Sequence, residues 1–587
     1  MTSTTGKPLF QDFPPVSWEE WKTRATADLR DTPYDRIRWS TPDGFVLEPR
    51  YARDHMLTPP GFSVEKSQNR WNNCRRIPVT DCGTANRDAI AALSENTAAI
   101  EYFISSSDLC SKENLELLFK GIHIPAAGIY LSGSVGDPVR LLENLASIPG
   151  FSENDGSLLT EPPRNSQGLF LAALPMPAFR FLPVDTVPWH DRGATPSQEI
   201  ALALAGVSDL MHRFTGEGEN PERIAAAIEI VMAAGSSHFP ELAKPRALRS
   251  LLPFVLKAYG AAETSAVRLF ARTSAKNISL LDPFTNVLRQ TTEAVSSILG
   301  GYDTLQIDPF DSGISVPRND AERISSNVHL ILSEECFLDR VSDPAAGSYY
   351  IETLTAELAA SAWKYFSEIE AAGGLAEAIR KNMVSDTVAQ AASREKKNVE
   401  NRKKNLIGVN RYLWPLTAAQ EKHLEELQKA AETSPQASLT ASFELLRLRT
   451  ERHRLQTGSI PSVFIWLSGD PSIGFRQAAF TEDFFLCGGF DIAGTAMLDA
   501  VRASCDTALE NSPAIVALCI AEKNPVPAAE LICRTIRELQ PGTIIVMAGK
   551  PPEEHEQLLA AGLDSFIHTG VNVAAMLQSY HIKTGIQ

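Results

Sequence analysis

Cysteine is scarce and scattered. The 587-residue chain carries 8, at positions 74, 82, 110, 336, 487, 505, 519 and 533. No C-x-x-C occurs, which excludes a zinc ribbon, and the wide spacing gives no disulfide framework. Long apolar runs are missing as well. None approaches the roughly 20 residues that span a bilayer, and MTSTTGKPLFQDFPP lacks the basic-then-apolar layout of a secretory leader. A cytoplasmic chain is therefore expected. Basic charge is in deficit: 55 Lys+Arg stand against 71 Asp+Glu, a net charge of −16. Such a chain repels nucleic acid and anionic membrane. Its basic run, Arg394 to Lys404, is interrupted by acids and reads as a solvated helix face. Neither G-x-x-x-x-G-K-[ST] nor H-E-x-x-H is present, so no P-loop and no zincin site is supported. Histidine is absent from the whole stretch between His453 and His555.

What is present reads as a soluble multidomain protein. The length asks for two or three domains. Hydrophobic residues at 44% and charged residues at 21% are ordinary. Residues 1–60 form an arm broken by prolines at 8, 14, 15, 33, 42, 49, 59 and 60. Val16 to Leu29 predicts one short helix, with Ser17 as N-cap and Glu20 closing a capping box. This arm has little core of its own, so it is expected to lie on its own barrel or on a partner chain.

From about 80 to 380, strand-like and helix-like segments alternate. AAIEYFIS (98–105), AGIYLSG (127–133), GLFLAALP (168–175), FRFLPVDTV (179–187) and VRLFARTS (267–274) predict strands. KENLELLFKGI (112–122), Ser197 to Met211, PERIAAAIEIVMAAG (221–235), FPELAKPRALRSLLPFVLKAYG (239–260) and NVLRQTTEAVSSILGG (286–301) predict helices. A βαβα rhythm of this length implies a parallel sheet flanked by helices. A (β/α)8 barrel is the usual solution, and an open doubly wound sheet is the alternative. Residues 385–460 read as helical and polar. After them SVFIWLSG (462–469), AIVALCIA (514–521), GTIIVMAG (542–549) and DSFIHTG (564–570) predict buried strands of a five-stranded flavodoxin-like domain. Expected boundaries are an arm 1–60, a barrel 61–385, a helical linker 386–459 and the final domain 460–587.

Two constellations invite a functional reading and have plainer ones. In Gly235-Ser-Ser-His238, Ser and His so close in sequence rarely meet as nucleophile and base. Gly347-Ser-Tyr-Tyr350 reads as a turn that opens a packing contact. A third feature is the loop Ser468-Gly-Asp-Pro-Ser-Ile-Gly-Phe-Arg-Gln477, which follows an apolar strand at the point where open α/β domains bind ligands.

A barrel followed by such a domain resembles the adenosylcobalamin-dependent acyl-CoA mutases. DPAAGSYYIETLT (343–355) is similar to a D-P-x-A-G-S-Y-Y-V-E-x-L-T segment of methylmalonyl-CoA mutases, and ELAKPRALR (241–249) to their E-I-A-K-x-R-A-x-R helix. NVLRQTTEA (286–294), GGLAEAI (373–379) and IGVNRY (407–412) match further segments in order. The arm FPPVSWEEWKTRATADL resembles the family's small (beta) subunit more than its catalytic subunit.

The resemblance also identifies what has been lost. In the family a His in D-x-H-x-x-G ligates cobalt, and its Asp orients the imidazole. Aligning Asp470 with that Asp puts Ser472 at the His, and another register puts Gly474 there; neither is an imidazole. A family Tyr in Q-Y-A-G-F-S stands over the acyl group; Thr58-Pro-Pro-Gly-Phe-Ser63 puts Pro59 in its place. A Tyr-His pair falls on Val187-Pro188, counting back from Gly193-Ala-Thr195, with His190 reachable only by a slip. His190 beside Asp191 is expected to be a structural pair. The stretch Ser67–Thr84 is also too short for the family's acyl-CoA-binding run.

The implied chain has no catalytic, cofactor-binding or metal residues. It would be the beta subunit of a heterodimeric methylmalonyl-CoA mutase of propionate metabolism, with adenosylcobalamin on its homologous alpha partner. A homodimer in isolation is possible on this reading. An acyl-CoA mutase homologue with altered ligand use and a self-associating scaffold stand beside it.

Overall fold

A computed structural model describes residues 16–53, 56–57, 68–161, 168–262, 267–313, 319–416, 418–433, 438–499 and 502–587. Pro59 and the Thr58–Ser63 match lie outside them. Eight parallel strands form the larger unit: β1 (Asn72–Val79), β2 (Ala99–Ile104), β3 (Gly128–Gly133), β4 (Ser157–Leu158), β5 (Leu182–Asp185), β6 (Ile228–Ala234), β7 (Arg268–Thr273) and β8 (Thr304–Gln306). They run in the order β4-β3-β2-β1-β8-β7-β6-β5. A bridge between Ser157 and Arg180 joins the two ends. There Leu158 N donates to Arg180 O at 2.8 Å and Arg180 N to Gly156 O at 3.0 Å. The sheet is a TIM-like barrel whose seam lies between β4 and β5.

The strand period of two sorts the side chains into two cores. Ile100, Tyr102 and Ile104 of β2, with Leu269 and Ala271 of β7, face outward and pack with the surrounding helices. Cys74, Ala99, Tyr130, Leu159, Val231 and Phe270 face inward and form a separate cluster. The helix Pro196–Gly216 crosses the helices His238–Ala258 and Tyr349–Ala371 outside the wall. Pro245 sits inside the second of these, at a close approach to the helix Pro283–Gly300. A Cβ at Gly300 would lie 2.6 Å from Pro245 Cγ, so only glycine fits there.

Two expected elements come out differently. Residues 168–175 form a short helix, Leu169–Ala172, that leaves Leu171 and Leu174 exposed. A brief apolar run bounded by glycine suits helix and strand equally. The segment 221–235 is a helix only over Pro221–Ala227; Ile228–Ala234 is the wholly buried strand β6. Alanine and glutamate favour a helix there, but burial on both faces of a barrel wall overrides that preference. The arm helix, Trp18–Asp28, follows its sequence signals: Ser17 and Glu20 exchange both capping-box bonds, and Trp18 stacks on Trp21 with ring centroids 5.1 Å apart.

The second unit is a five-stranded parallel sheet: β9 (Ser462–Gly469), β10 (Asp491–Met497), β11 (Ile515–Ala521), β12 (Ile544–Ala548) and β13 (Ser565–Ile567). The order β10-β9-β11-β12-β13 is that of a doubly wound domain. One face buries Phe484, Phe485 and Tyr580; the other buries Trp466, Ile532 and Ile536. The helix Ala441–Thr457 ties the units together. Its buried Glu444 accepts from Ser279 Oγ at 2.7 Å and Leu280 N at 2.8 Å on the barrel side. Two turns on, Thr450 Oγ1 donates to Gly488 O at 2.6 Å on the other side. Among the described residues no helix is long and apolar enough to cross a membrane.

Candidate functional site

In a barrel, chemistry belongs at the carboxyl ends of the strands and along the axis they enclose. Here side chains occupy the axis. Tyr130 of β3 and Phe270 of β7 meet edge to face with centroids 5.2 Å apart. The Tyr130 hydroxyl bonds Thr304 Oγ1 at 2.9 Å. Below them Arg268 Nη2 pairs with the fully buried Glu229 at 2.8 Å. Above them Arg272 Nη2 pairs with Glu101 at 2.7 Å, and Glu101 also accepts from Ser132 Oγ at 2.5 Å. Arg76 stacks its guanidinium over Phe103 at the mouth, 4.2 Å from the ring centroid. Aromatic, aliphatic and ion-paired side chains thus fill the middle of the interior, while a cavity of about 1030 Å³ opens beside β4 and β5, lined by Gly133, Leu159, Asp185 and Trp189.

At the carboxyl ends of β5, β6 and β7 lies a buried polar cluster. Val187 and Pro188 open a one-turn helix, Val187–Asp191, which places His190 inward. Its Nδ1 is 2.8 Å from Glu199 Oε1 and its Nε2 is 2.7 Å from Ser274 Oγ. The imidazole's partner is therefore Glu199, nine residues on, and not the adjacent Asp191. Asp191 Oδ1 is buried without a hydrogen-bond partner, and burial pushes its carboxyl up against the opposing influence of His190. Lys244 Nζ lies 3.2 Å from Glu199 Oε2 and 2.6 Å from Glu241 Oε2, and donates to Ala233 O at 2.6 Å. Burial alone would raise the Glu199 carboxyl, but Lys244 and His190 beside it hold it below the usual range. An ionised Glu199 only accepts hydrogen bonds, which puts the imidazole proton on Nδ1 and leaves Nε2 to accept from Ser274.

His238 does not meet its neighbouring serines. Its Nδ1 is 2.7 Å from Ser296 Oγ and its ring packs edge-on to Phe239. Gly347-Ser-Tyr-Tyr350 opens the helix Tyr349–Ala371: Ser348 caps it, and Gly347 N donates to Glu352 Oε1 at 2.9 Å. Buried Arg246 bonds both Asp343 and Glu352, so it joins the two sequence segments that carry the family likeness.

The loop after β9 is a helix start. Gly469 has φ +85°, and a Cβ there would lie 2.6 Å from the Ala521 backbone. Asp470 caps the helix Pro471–Leu486: its Oδ1 accepts from Ser472 N and Ser472 Oγ, each at 2.8 Å. These bonds hold its carboxyl below the ordinary range. Ser472 and Gly474 face no histidine of their own loop, since none exists there. The donor set does not fit a cobalt ligated through an Asp-oriented imidazole. Among the described residues no cluster of three or more His, Cys, Asp or Glu could hold a metal.

The His190–Glu199–Ser274–Lys244 cluster was only partly visible in the sequence. His190 stands out in the sequence; Glu199, Lys244 and Ser274 come from three other elements, and no spacing rule links them.

A sequence profile described as methylmalonyl-CoA mutase matches residues 169–457. The methylmalonyl-CoA mutase small subunit of Porphyromonas gingivalis is 30% identical, with 99% of each chain covered. That of Streptomyces virginiae is 27% identical over the same share of both chains. The methylmalonyl-CoA mutase large subunit of Porphyromonas gingivalis is 28% identical, but over 52% of this chain and 46% of its own. With full-length similarity at that level, the chain belongs to the methylmalonyl-CoA mutase family.

Proposed function

We propose that this chain is the small, non-catalytic subunit of an adenosylcobalamin-dependent methylmalonyl-CoA mutase. The holoenzyme interconverts (R)-methylmalonyl-CoA and succinyl-CoA on a homologous catalytic subunit, and this chain supports that partner's fold. The proposed division is an arm to residue 60, a barrel to 385, a linker to 459 and the closing domain. The observation that carries the reading is the loop after β9: Asp470 caps its own helix and the loop carries no histidine. The filled barrel axis points the same way, because a threaded acyl-CoA would have to displace Tyr130 and Phe270. Full-length similarity to small subunits, set against half-length similarity to a large one, adds to it. Pairing of two homologous chains about a pseudo-twofold is the natural assembly.

Co-expression with a homologous chain that carries D-x-H-x-x-G and Q-Y-A-G-F-S tests the reading. A 1:1 complex with mutase activity is expected, and the chain alone should show none. Undiminished activity of the partner after this chain is removed would refute the subunit role.

A further inference from the structure

The carboxyl-end cluster has the geometry of a nucleophile, a base and an orienting carboxylate, a use that the subunit reading does not need. Ser274 Oγ, His190 Nε2, His190 Nδ1 and Glu199 Oε1 are linked in series at 2.7 and 2.8 Å. Triads are recognised by this geometry and these roles, whatever the fold or chain order. The residues come from the segments after β5 and β7 and from the helix Pro196–Gly216, at the end of the barrel where barrel enzymes do chemistry. They also face a cavity of about 50 Å³, lined further by Asp43, Gly235 and Lys276. That is room for roughly three to five water-sized spheres, enough for a two- or three-carbon acyl group. Lys276 N donates to Ser274 Oγ at 3.2 Å, which fixes the hydroxyl. The Lys276 ammonium lies on the cavity wall, paired with Glu395 at 3.0 Å, and Lys404 lines the same wall. The turn Thr41–Phe45 of the arm covers the cavity, held there as Asp43 Oδ1 accepts from Ser197 N at 2.9 Å.

We infer that Ser274, His190 and Glu199 form an acyl-accepting site for short-chain esters or thioesters. Ser274 Oγ attacks the carbonyl carbon while its proton passes to His190 Nε2. The carbonyl electrons move onto oxygen beside Lys276. They return as the bond from carbon to the leaving sulfur or oxygen breaks, and His190 gives its proton to that leaving atom. An acyl-serine remains, and water removes it by the same steps to give a carboxylic acid. Glu199 keeps the imidazole in the accepting tautomer and stays ionised, so its bond to Lys244 does not interrupt the transfer.

The test uses the purified full-length chain with p-nitrophenyl acetate. A burst of p-nitrophenol is expected, with one acetyl group on the peptide Thr273–Lys276 by mass spectrometry. Ser274→Ala should abolish that adduct while circular dichroism and the unfolding midpoint stay close to the parent. His190→Gln should slow acetylation by about a hundredfold or more, the usual contribution of a positioned base. Asp43→Ala should speed it by freeing the arm turn. Acetyl groups on surface lysines alone, or Ser274 labelling equally fast without His190, would overturn the proposal. Neither outcome bears on whether the chain pairs with a catalytic subunit.

Discussion

Replacing Phe270 by Ala tests whether the barrel axis is a packed core. Phe270 and Tyr130 are both fully buried, and their rings meet at 5.2 Å and 73°. Removing a buried Phe ring costs about 3–5 kcal/mol when the surroundings do not collapse. An edge-to-face pair adds about 0.5–1.5 kcal/mol. The ion pairs on either side, Arg268–Glu229 and Arg272–Glu101, brace the walls and hinder such a collapse. Because the chain has more than one cooperative unit, a single unfolding energy is a poor measure. Amide hydrogen exchange in β3 and β7 isolates the barrel. At about 1.4 kcal/mol per tenfold, protection there should fall by roughly two and a half to four and a half decades. Exchange in β9 and β11 of the other unit should hold. A loss below about tenfold in β3 and β7 would show that the ring fills no dry core, and the argument against a threaded substrate would fall with it.

Two further substitutions probe buried charge. Arg268→Met removes the guanidinium that pairs with Glu229 and bonds the Asp155 and Gly156 carbonyls at the barrel seam, leaving Glu229 with the more distant Arg180. Amide-exchange protection in β6 and β7 should fall by the equivalent of about 3–5 kcal/mol, and adding Glu229→Gln should recover a large part; equal losses in the single and double variants would contradict this. Burial pushes the Glu293 carboxyl up to about 8, against the hydrogen bonds it receives from Asn277 and Ser274. Its folded value is raised above the unfolded one, so the stability it allows is complete below about pH 4.5 and is lost as pH rises toward 8. Glu293→Gln should therefore melt above the parent at pH 8 and lose that advantage at pH 5; an advantage independent of pH would refute the assignment.

Much of the architecture was legible because strands and helices each carry a strong local signal. β2, β3, β7 and β9 coincide with their apolar runs to within two residues. β6 was not legible, since Ile228–Ala234 is as apolar as a buried helix and only the closed barrel decides between them. β4 and β8 are too short, at two and three residues, to leave a pattern. At the site, an absence proved more readable than a presence. A missing histidine can be seen in one loop, whereas Ser274, His190, Glu199 and Lys244 meet only in space. The bond from His190 to Glu199 in place of Asp191 has the same origin, because a one-turn helix sets where the ring points.

Cobalamin stoichiometry in the reconstituted complex bears most directly on the subunit assignment. With this chain and a catalytic partner purified at 1:1 and saturated with adenosylcobalamin, cobalt analysis and the visible spectrum should give one cofactor per pair, all of it in the partner. Two cofactors per pair, or a saturable spectral change on titrating this chain alone, would contradict the account.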